Sequence, residues 1–536
     1  MNLITDLWIP VRLADGTRTT IRPSEITDRS NPPVALDAPR TDFNSALAQF
    51  LIGLLQTAFA PRDGDEWIAR LEKPPCVEML DQAFGGHADA FVLNGEGPRF
   101  MQDLERFDQG GTDKRKPAKK NSVASLLIDT PGDKTLRNNA DHFIKRDRIE
   151  ALCPACAATA LFTLQINAPG GGAGHRTSLR GGGPLTTLVA LDPEGSELPD
   201  TLWHNLWLNV LPRTVRLTGN PVLTDPEHIF PWLATTRTSN PKEGGLDTTP
   251  EDAHPLQMYW AMPRRIRLDF ENTKGGDCDL CGTQGPLVQR YFTLNYGTNY
   301  TGAWRHPLSP YQEQDSAEPL PRHPQPGGIG YRHWLGLVYA RQDDKQRIVP
   351  ARVVDTFLRE SEGMGQARIW AFGYDMDNMK PRCWYEAIMP LYHVPNDIRE
   401  RFTTRIGEMI QAADRVTGML RTAVKEAWFK RPGDARGNTN FLSDGFYQHT
   451  EADFYACLTR LIERIREEQD RSVLAEWHLF LCRAALALFD EWAASGDLAF
   501  GDPARVARAR SKLLKQINSK KIRQILSLPN TKEKAT

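Results

Sequence analysis

Residues 396–428 read NDIRERFTTRIGEMIQAADRVTGMLRTAVKEAW, and their apolar side chains recur every three or four positions. This spacing predicts an amphipathic α-helix that starts just after the capping candidate Asn396. Further stripes with the same spacing follow a glycine-containing break at 433–440 and cover residues 454–465, 473–492 and 506–525. Four long amphipathic helices with short breaks predict an antiparallel four-helix bundle over residues 395–536.

The chain before residue 395 has a different pattern. Gly and Pro interrupt it at short intervals, and brief apolar runs such as 186–191 and 353–358 lie between them. This pattern is typical of strands and short helices that are joined by long loops. The predicted fold class is therefore α+β, with a large mixed N-terminal domain over residues 1–394 and the bundle behind it.

The composition is that of a globular protein, and its charges nearly cancel. Among 536 residues, 66 Lys and Arg stand against 67 Asp and Glu, which gives a formal net charge of -1. A uniformly positive field is thereby excluded, although local basic stripes are not. The amino terminus lacks the apolar core of a signal peptide, and no uncharged apolar run is long enough for a membrane span. We expect a cytoplasmic protein without membrane contact, whose eight cysteines are reduced unless a metal holds them.

Two Cys-x-x-Cys elements give the most specific chemical signal. Cys153 and Cys156 form the first, Cys278 and Cys281 form the second, and Gly282 follows the second. Four thiolates in two turns suit tetrahedral zinc, so the sequence predicts a structural zinc clamp between distant segments. A redox pair and four unligated core thiols are the two alternatives.

A glycine-rich segment at 169–183, PGGGAGHRTSLRGGG, invites a phosphate-loop interpretation. The Walker pattern fails because Pro169 and His175 stand where a glycine and the lysine are needed. What remains is a flexible glycine loop with Arg176 and Arg180, which can bring backbone close to a nucleic-acid groove. A surface loop without a ligand is the alternative.

Signatures of catalysis are not found, whereas basic segments are. The sequence contains no His-Glu-x-x-His and no Gly-x-Ser-x-Gly element, and nothing groups its carboxylates. The last helix carries eight Lys or Arg between Arg505 and Arg523 and no acid. This run is either a solvated helix face or a contact for nucleic acid or an acidic partner.

Several short strings together resemble one family. They are NLITDLWIPV at 2–11, APG at 168–170 leading into SLRGG at 178–182, the two cysteine pairs, and WRHPLSP at 304–310. In order and spacing they are similar to the CasA (Cse) family of large subunits of type I-E CRISPR Cascade complexes, over essentially the whole chain. The resemblance implies a non-catalytic subunit that works with the other Cascade subunits and the CRISPR guide RNA.

The resemblance also implies a mode of DNA recognition. The guide RNA pairs with the target, while this subunit reads a short flanking motif, the PAM, in double-stranded DNA. Reading is mainly from the minor groove, whose code is degenerate, and a wedge opens the first base pairs. The subunit then recruits the helicase-nuclease that degrades the target in antiviral defence.

Site residues follow from the same resemblance. The glycine loop corresponds to Gly170, Gly172, Ala173 and Gly174, with Ala173 where the family often has glycine, and Arg176 lies beside it. The minor-groove lysine is Lys274.

The wedge corresponds to Asp377 and Asn378, which replace an asparagine and a glutamine of the family. Because both replacements are departures, Met376 or Met379 is the alternative wedge. The segment that contacts the 5′ handle of the guide RNA corresponds to Phe143, Lys145, Arg146 and Arg148. A zinc-stabilised, metal-dependent nuclease acting on DNA, with carboxylates that cluster only in the fold, is the alternative function.

Overall fold

The structure is a computed structural model, and it describes residues 1–107, 118–132, 137, 148–172, 174–315, 317–343, 346–361, 366–377, 380–434, 437–494 and 502–529. The chain divides into two compact units. The mixed unit comprises Met1–Pro324 and Gln342–Ile388, and the helical unit comprises Gln325–Arg341 and Met389–Thr536. The predicted α+β class with a C-terminal helical region is confirmed. The proposed domain boundary at 394 stays a prediction, and residues 325–341 group with the helical unit.

The α-helices of the described residues are, in chain order, α1 (Thr41–Ala58), α2 (Gly64–Glu72), α3 (Val77–Gly85), α4 (Pro154–Asn167), α5 (Leu202–Trp207), α6 (Pro226–Ile229), α7 (Trp334–Leu337), α8 (Arg352–Glu360), α9 (Asn396–Trp428), α10 (Asn440–Ile465), α11 (Asp470–Ala494), α12 (Pro503–Ile517) and α13 (Lys520–Ile525). The strands are β1 (Ile9–Leu13), β2 (Arg18–Ile21), β3 (Pro33–Leu36), β4 (Lys119–Ser122), β5 (Thr186–Leu191), β6 (Arg265–Leu268), β7 (Lys274–Asp277), β8 (Gln284–Leu287), β9 (Arg290–Leu294), β10 (Tyr311–Glu313), β11 (Leu320–Pro321), β12 (Arg341–Asp343), β13 (Gln346–Val349), β14 (Ala367–Asp377) and β15 (Lys380–Leu391).

Small sheets make up the β structure of the mixed unit. Their strand orders are β2-β1-β3, β4-β9-β6, β15-β14-β5, β11-β10-β13-β12 and the two-stranded β7-β8. The pairing is antiparallel where the register is defined, as in Ala367 opposite Leu191 between β14 and β5. Because each sheet has few strands, long connecting segments carry much of the chain, as the glycine and proline pattern predicts.

An aromatic cluster forms the core of the mixed unit around α1. The ring of Phe50 meets five other rings edge to face, at centroid distances between 5.3 and 5.8 Å. These rings come from distant parts of the mixed unit's sequence: Trp8, Phe91, Phe100, Phe162 and Trp260. Edge-to-face pairs add to the burial of apolar area, so the cluster fixes α1 and α4 as a rigid base for the loops around them.

Long helices α9 to α12 form the bundle, and the short helix α13 follows them. The predicted stripe on α9 is buried, from Ile398 through Val424. The indole nitrogen of Trp477 on α11 donates to the carbonyl of Met409 on α9 at 3.0 Å. Helix α9 begins at Asn396 itself, with Pro395 at the capping position, so the predicted cap is off by one residue.

Helix α11 alone in the described residues has the length and hydropathy of a membrane span. Half of its most apolar window is buried within the protein. That face, with Trp477 and Leu481, packs on α9 and α10. A helix in the core of a bundle can be as apolar as a membrane span, so packing within the helical unit explains the hydropathy of α11.

Three cations of the basic last helices have partners within the bundle. Arg510 forms a two-bond ion pair with Asp490, and Lys512 pairs with Glu426. Arg505 donates to the carbonyl oxygen of Ala427 at 2.9 Å. These contacts attach α12 to α9 and α11, and a contact of the basic run with nucleic acid or an acidic partner stays a prediction.

Candidate nucleic-acid interface

The four cysteines of the two Cys-x-x-Cys elements meet at one point. Their Sγ atoms all lie within 4.8 Å of one another, and those of Cys153 and Cys281 are 3.6 Å apart. A tetrahedron of sulfurs with Zn–S bonds of about 2.3 Å has edges of about 3.8 Å. Cys153, Cys156 and Cys278 are buried, and Cys281 is exposed. The donor set and its spacing therefore fit a closed structural zinc site.

The close packing of the thiols shifts the pKa values of Cys278 and Cys156 in opposite directions. Hydrogen bonds from Cys153 and Cys156 hold the pKa of the Cys278 thiol far below its usual range. The pKa of Cys156 is raised, chiefly through its hydrogen bonds with Cys153 and Cys278 and then through burial. Metal ligation requires deprotonated sulfur, so a divalent cation that binds here would displace the protons of the thiols.

Backbone bonds hold the two cysteine segments together. The carboxylate of Asp279 accepts from the amides of Glu150 and Ala151, at 2.6 and 2.8 Å. Leu152 and Val288 exchange two backbone hydrogen bonds directly beside Cys153. These hydrogen bonds join the amino-terminal end of α4 to the β7–β8 hairpin in addition to the cysteine cluster.

Lys274 lies on that hairpin, opposite Leu287. The turn of the hairpin is the second cysteine pair, closed by a bond from the amide of Gly282 to the carbonyl of Cys278 at 2.8 Å. The side chain of Lys274 is exposed and has no ion-pair partner among the described residues. A cation on a short hairpin that is fixed at its turn is well suited to enter a groove.

Helix α4 connects the cysteine cluster to the glycine loop (170–174). Cys153 caps the amino-terminal end of the helix by accepting from the amide of Cys156. The helix ends at Asn167, three residues before the loop, and its 14 residues span about 21 Å. Cluster and loop therefore lie at opposite ends of one buried helix.

The glycine loop is a tight turn. The amide of Gly171 donates to the carbonyl of His175, and the amide of His175 donates to the carbonyl of Gly172. Gly172 and Gly174 both have φ of +82°. A Cβ atom at Gly174 would lie 2.8 Å from the amide nitrogen of Tyr296, so this position requires glycine. Ala173 lies outside the described residues.

The two arginines of the glycine-rich segment contact the protein itself. Arg176 donates to the hydroxyl and carbonyl oxygens of Ser239, at 2.8 and 3.2 Å. Arg180 is buried and donates to Gln49, Thr186 and Ser309. Both side chains hold the segment in place, and a DNA contact of Arg176 stays a prediction.

The β14–β15 hairpin carries the predicted wedge. Buried Asp375 accepts two hydrogen bonds from Arg382 across the hairpin, at 2.7 and 3.1 Å. Asp377 is exposed at the end of β14 and also lies within ion-pair distance of Arg382. Asn378 and the alternative Met379 lie outside the described residues. The other alternative, Met376, packs against Gly183, where a Cβ atom would be 3.0 Å from its Cε atom.

A cavity of about 450 Å³ lies where the glycine loop and this hairpin meet. Its lining includes Gly170 and Gly171 from the loop, Lys380 from the hairpin, and Lys119 from β4. Arg264, which precedes β6, lines the same cavity and is 9% exposed. None of the described lining residues is Asp or Glu.

His175 also lines this cavity. Burial, with the charges of Arg264 and Lys119 acting in the same direction, lowers the pKa of His175 to about 4. The imidazole is therefore neutral near pH 7, and the local field is positive.

The structure thus brings together some of the predicted residues and not others. The glycine loop and the hairpin share the cavity, whereas Lys274 lies on the separate hairpin at the far end of α4. Arg148 is exposed, and Phe143, Lys145 and Arg146 lie outside the described residues.

Sequence reasoning missed Arg264, His175, Lys119 and Lys380 as members of one site. The available signal was three arginines in the four positions 264–267, an unusual composition for a strand that is otherwise apolar.

Comparison with known proteins identifies the fold and the family. The family model described as CRISPR-associated protein Cse1 matches residues 2–488. The crystal structure of Cse1 from Thermobifida fusca superposes with a TM-score of 0.71 at 17% identity, covering 99% of each chain.

Two further solved structures are similar. CasA from Thermus thermophilus gives a TM-score of 0.69 at 16% identity, over 96% of this chain and 99% of that one. A chain of a CRISPR RNA-guided surveillance complex gives 0.59 at 17% identity, over 97% and 99%.

Proposed function

The chain belongs to the Cse1 family of CRISPR-associated proteins, and from this premise we propose that it is the large, non-catalytic subunit of an RNA-guided surveillance complex, Cascade. Its partners are the other Cascade subunits, the CRISPR guide RNA, double-stranded target DNA and the helicase-nuclease that it recruits. It acts in the cytoplasm and contacts no membrane. The likeness to a chain of a solved surveillance complex supports this assignment.

The subunit reads the PAM from the minor groove. The observation that carries this proposal is the arrangement along α4, with exposed Lys274 on a clamped hairpin at one end and the glycine loop at the other. Lys274 enters the groove, while Gly170, Gly172, Ala173 and Gly174 present backbone without bulky side chains and Arg176 holds the loop. Because the minor groove distinguishes few base pairs, several related motifs are accepted.

Cys153, Cys156, Cys278 and Cys281 would hold a structural zinc ion between the β7–β8 hairpin and the amino-terminal end of α4. With four thiolate ligands, such an ion would have no open position for a substrate and would supply stability only. The four cysteines would thereby fix the position of Lys274 relative to α4.

Opening of the duplex uses Asp377, at the end of β14, and Asn378, the next residue in the sequence. The ion pair of Asp375 with Arg382 joins β14 to β15 close to that end of the strand. Unstacking one base step costs a few kcal/mol, which an inserted side chain can offset. Opening there starts the R-loop.

The 5′ handle of the guide RNA binds the segment with Phe143, Lys145, Arg146 and Arg148. Three cations in four positions suit contacts with phosphates, and Arg148 is exposed.

The alternative nuclease lacks a supporting observation. Within the described ranges, the cysteine quartet is the one group of three or more His, Cys, Asp or Glu with metal-binding spacing. The proposal therefore assigns no catalytic residue. Metal-dependent cleavage of labelled DNA by the purified chain would favour the nuclease instead.

Lys274→Ala in the assembled complex tests the reading of the PAM. We expect the variant to lose about tenfold or more in affinity for duplexes with the preferred flanking motif and about twofold for duplexes without it. A lysine that contacts base edges in the groove favours the motif, whereas a lysine that contacts only phosphate would weaken both classes of duplex equally when it is removed. Affinities are measured on a library of targets that differ only in the flanking bases.

Lys242→Ala, an exposed lysine of the same unit, is the matched control for loss of one charge. An equal loss of affinity on both classes of duplex would contradict motif reading by Lys274.

A further inference from the structure

The guanidinium of Arg264 lies directly beneath the glycine loop. Its Nη2 atom donates to the carbonyl oxygen of Pro169, and its Nη1 atom would be 3.0 Å from a Cβ atom at Gly171. The backbone amide of Arg264 donates to Gln165 on α4 at 3.0 Å, which fixes where the side chain begins. Although the residue is only 9% exposed, its Nε–H has no hydrogen-bond partner in the described residues.

This buried cation also lacks a counterion within the described part of the chain. No Asp or Glu is found among the described residues that line the cavity, and two further cations, Lys119 and Lys380, line it. Burial lowers the pKa of Arg264 to about 10, so the surroundings disfavour its charge. An unpaired buried charge with an unused donor is costly, and an anion from outside the chain would remove both costs.

We infer that this cavity is a phosphate-binding pocket that receives one phosphodiester group of the target DNA, with Arg264 as its central donor. The inference rests on the proposed function and deepens it by naming a backbone contact beside the groove-reading elements. Arginine recognises phosphate through parallel N–H···O bonds, and the flanking lysines add charge without directional demands. At about 450 Å³ the cavity has the size of a ligand pocket, so a phosphodiester can enter together with its sugars.

Gly171 has a specific part in this pocket. A Cβ atom there would lie 2.7 Å from the Cβ atom of His175 and 3.0 Å from the guanidinium of Arg264. Any side chain at Gly171, which also lines the cavity, would therefore crowd the guanidinium. The glycine loop keeps the arginine accessible as well as bringing backbone close to the DNA.

Neutral methylphosphonate linkages test the pocket in the assembled complex. Duplexes with the flanking motif are made with one methylphosphonate at each successive position near the motif, and their affinities are measured with wild type, Arg264→Met and Lys119→Met. We expect one position at which the neutral linkage weakens wild-type binding about tenfold and weakens either variant about twofold or less. If, at every position and in both variants, the neutral linkage weakened binding by the same factor as in wild type, the pocket would be overturned.

The neighbouring Lys120→Met is the matched control. Lys120 is equally exposed on β4 but lies over the ring of Phe292, at 5.5 Å, and does not line the cavity. We expect it to retain the tenfold effect at the critical linkage, and loss of that effect in Lys120→Met would overturn the assignment to this cavity. Lys119→Met keeps the test decisive if Arg264→Met fails to fold.

The same measurements separate this inference from the proposed function. Because phosphate contacts carry no sequence information, the ratio of affinities with and without the motif should stay within about twofold of wild type in Arg264→Met. A wild-type complex that shows no preference for the motif contradicts the proposed function. A complex that prefers the motif but has no linkage coupled to Arg264 contradicts the pocket alone.

Discussion

One buried carboxylate of the helical unit and one buried arginine of the mixed unit differ in how their charges are paired. In the helical unit, fully buried Asp470 accepts hydrogen bonds from Arg401 and Arg405, the shortest at 2.6 Å to each arginine. In the mixed unit, nearly buried Arg264 faces a cavity without a described carboxylate. A buried charge that is paired within its own chain stabilises a fold, whereas a buried cation that has an unused donor and faces a cavity without a carboxylate points to a ligand from outside.

Loss of the cysteine cluster should have the largest effect and would test whether the proposed DNA-reading hairpin depends on one clamp. With Cys278→Ser or after chelation, we expect amide exchange in β7 and β8 to quicken by about tenfold or more, because the hairpin loses its fixed turn. Exchange in α9 to α12 should not change. Hydrogen exchange with mass spectrometry and measurement of bound zinc provide the test.

Cys383→Ser is the control for the loss of a thiol, since Cys383 is exposed and outside the cluster. A purified protein that contains no zinc, together with unchanged exchange in Cys278→Ser, would remove the clamp from the proposal.

The charge pairing of the helical unit can be broken at Asp470. Asp470→Asn leaves Arg401 and Arg405 without their shared carboxylate, and we expect the free energy of unfolding to fall by about 3 kcal/mol. Asp490→Asn removes the partner of Arg510 in an exposed pair and should cost less than about 1 kcal/mol. Denaturant unfolding of both variants measures the difference, and equal costs would show that burial of the carboxylate does not matter.

In both units the sequence predicts the features that depend on local spacing. The stripe on α9 was predicted because a 3.6-residue period is a local property, and the structure confirms it within one residue of its start. The cysteine quartet was predicted because each Cys-x-x-Cys pair is local and the need for four sulfur ligands joins the two pairs.

Long-range contacts explain what the sequence did not predict. Arg176 and Arg264 are both arginines near glycine or proline, yet one contacts Ser239 and the other the carbonyl of Pro169. These partners are 63 and 95 positions away, so only the tertiary fold decides which cation is used internally and which faces a cavity. The cations of α12 are a further example, since their acidic partners lie on other helices.

Acidification should distinguish the two units with a smaller effect. Six histidines of the mixed unit have pKa values lowered chiefly by burial: His87, His175, His204, His254, His306 and His323. As pH falls below about 6.5, these histidines bind protons in the unfolded chain but stay neutral in the folded protein. The free energy of unfolding therefore decreases. For His175 the loss continues until pH approaches its folded pKa of about 4.

We expect the unfolding temperature to be about 5 °C lower at pH 5.5 than at pH 7.5, with hydrogen exchange rising first in the mixed unit. The Asp470 cluster should not contribute over this range. Burial opposes its ionisation, but hydrogen bonds from Arg401 and Arg405 outweigh burial and hold the pKa of Asp470 below its usual value. That stabilisation is lost only as pH falls below about 4. If exchange rose first in α9 to α12 at pH 5.5, the groups that limit acid stability would lie in the helical unit. That result would contradict the assignment of acid sensitivity to the buried histidines of the mixed unit.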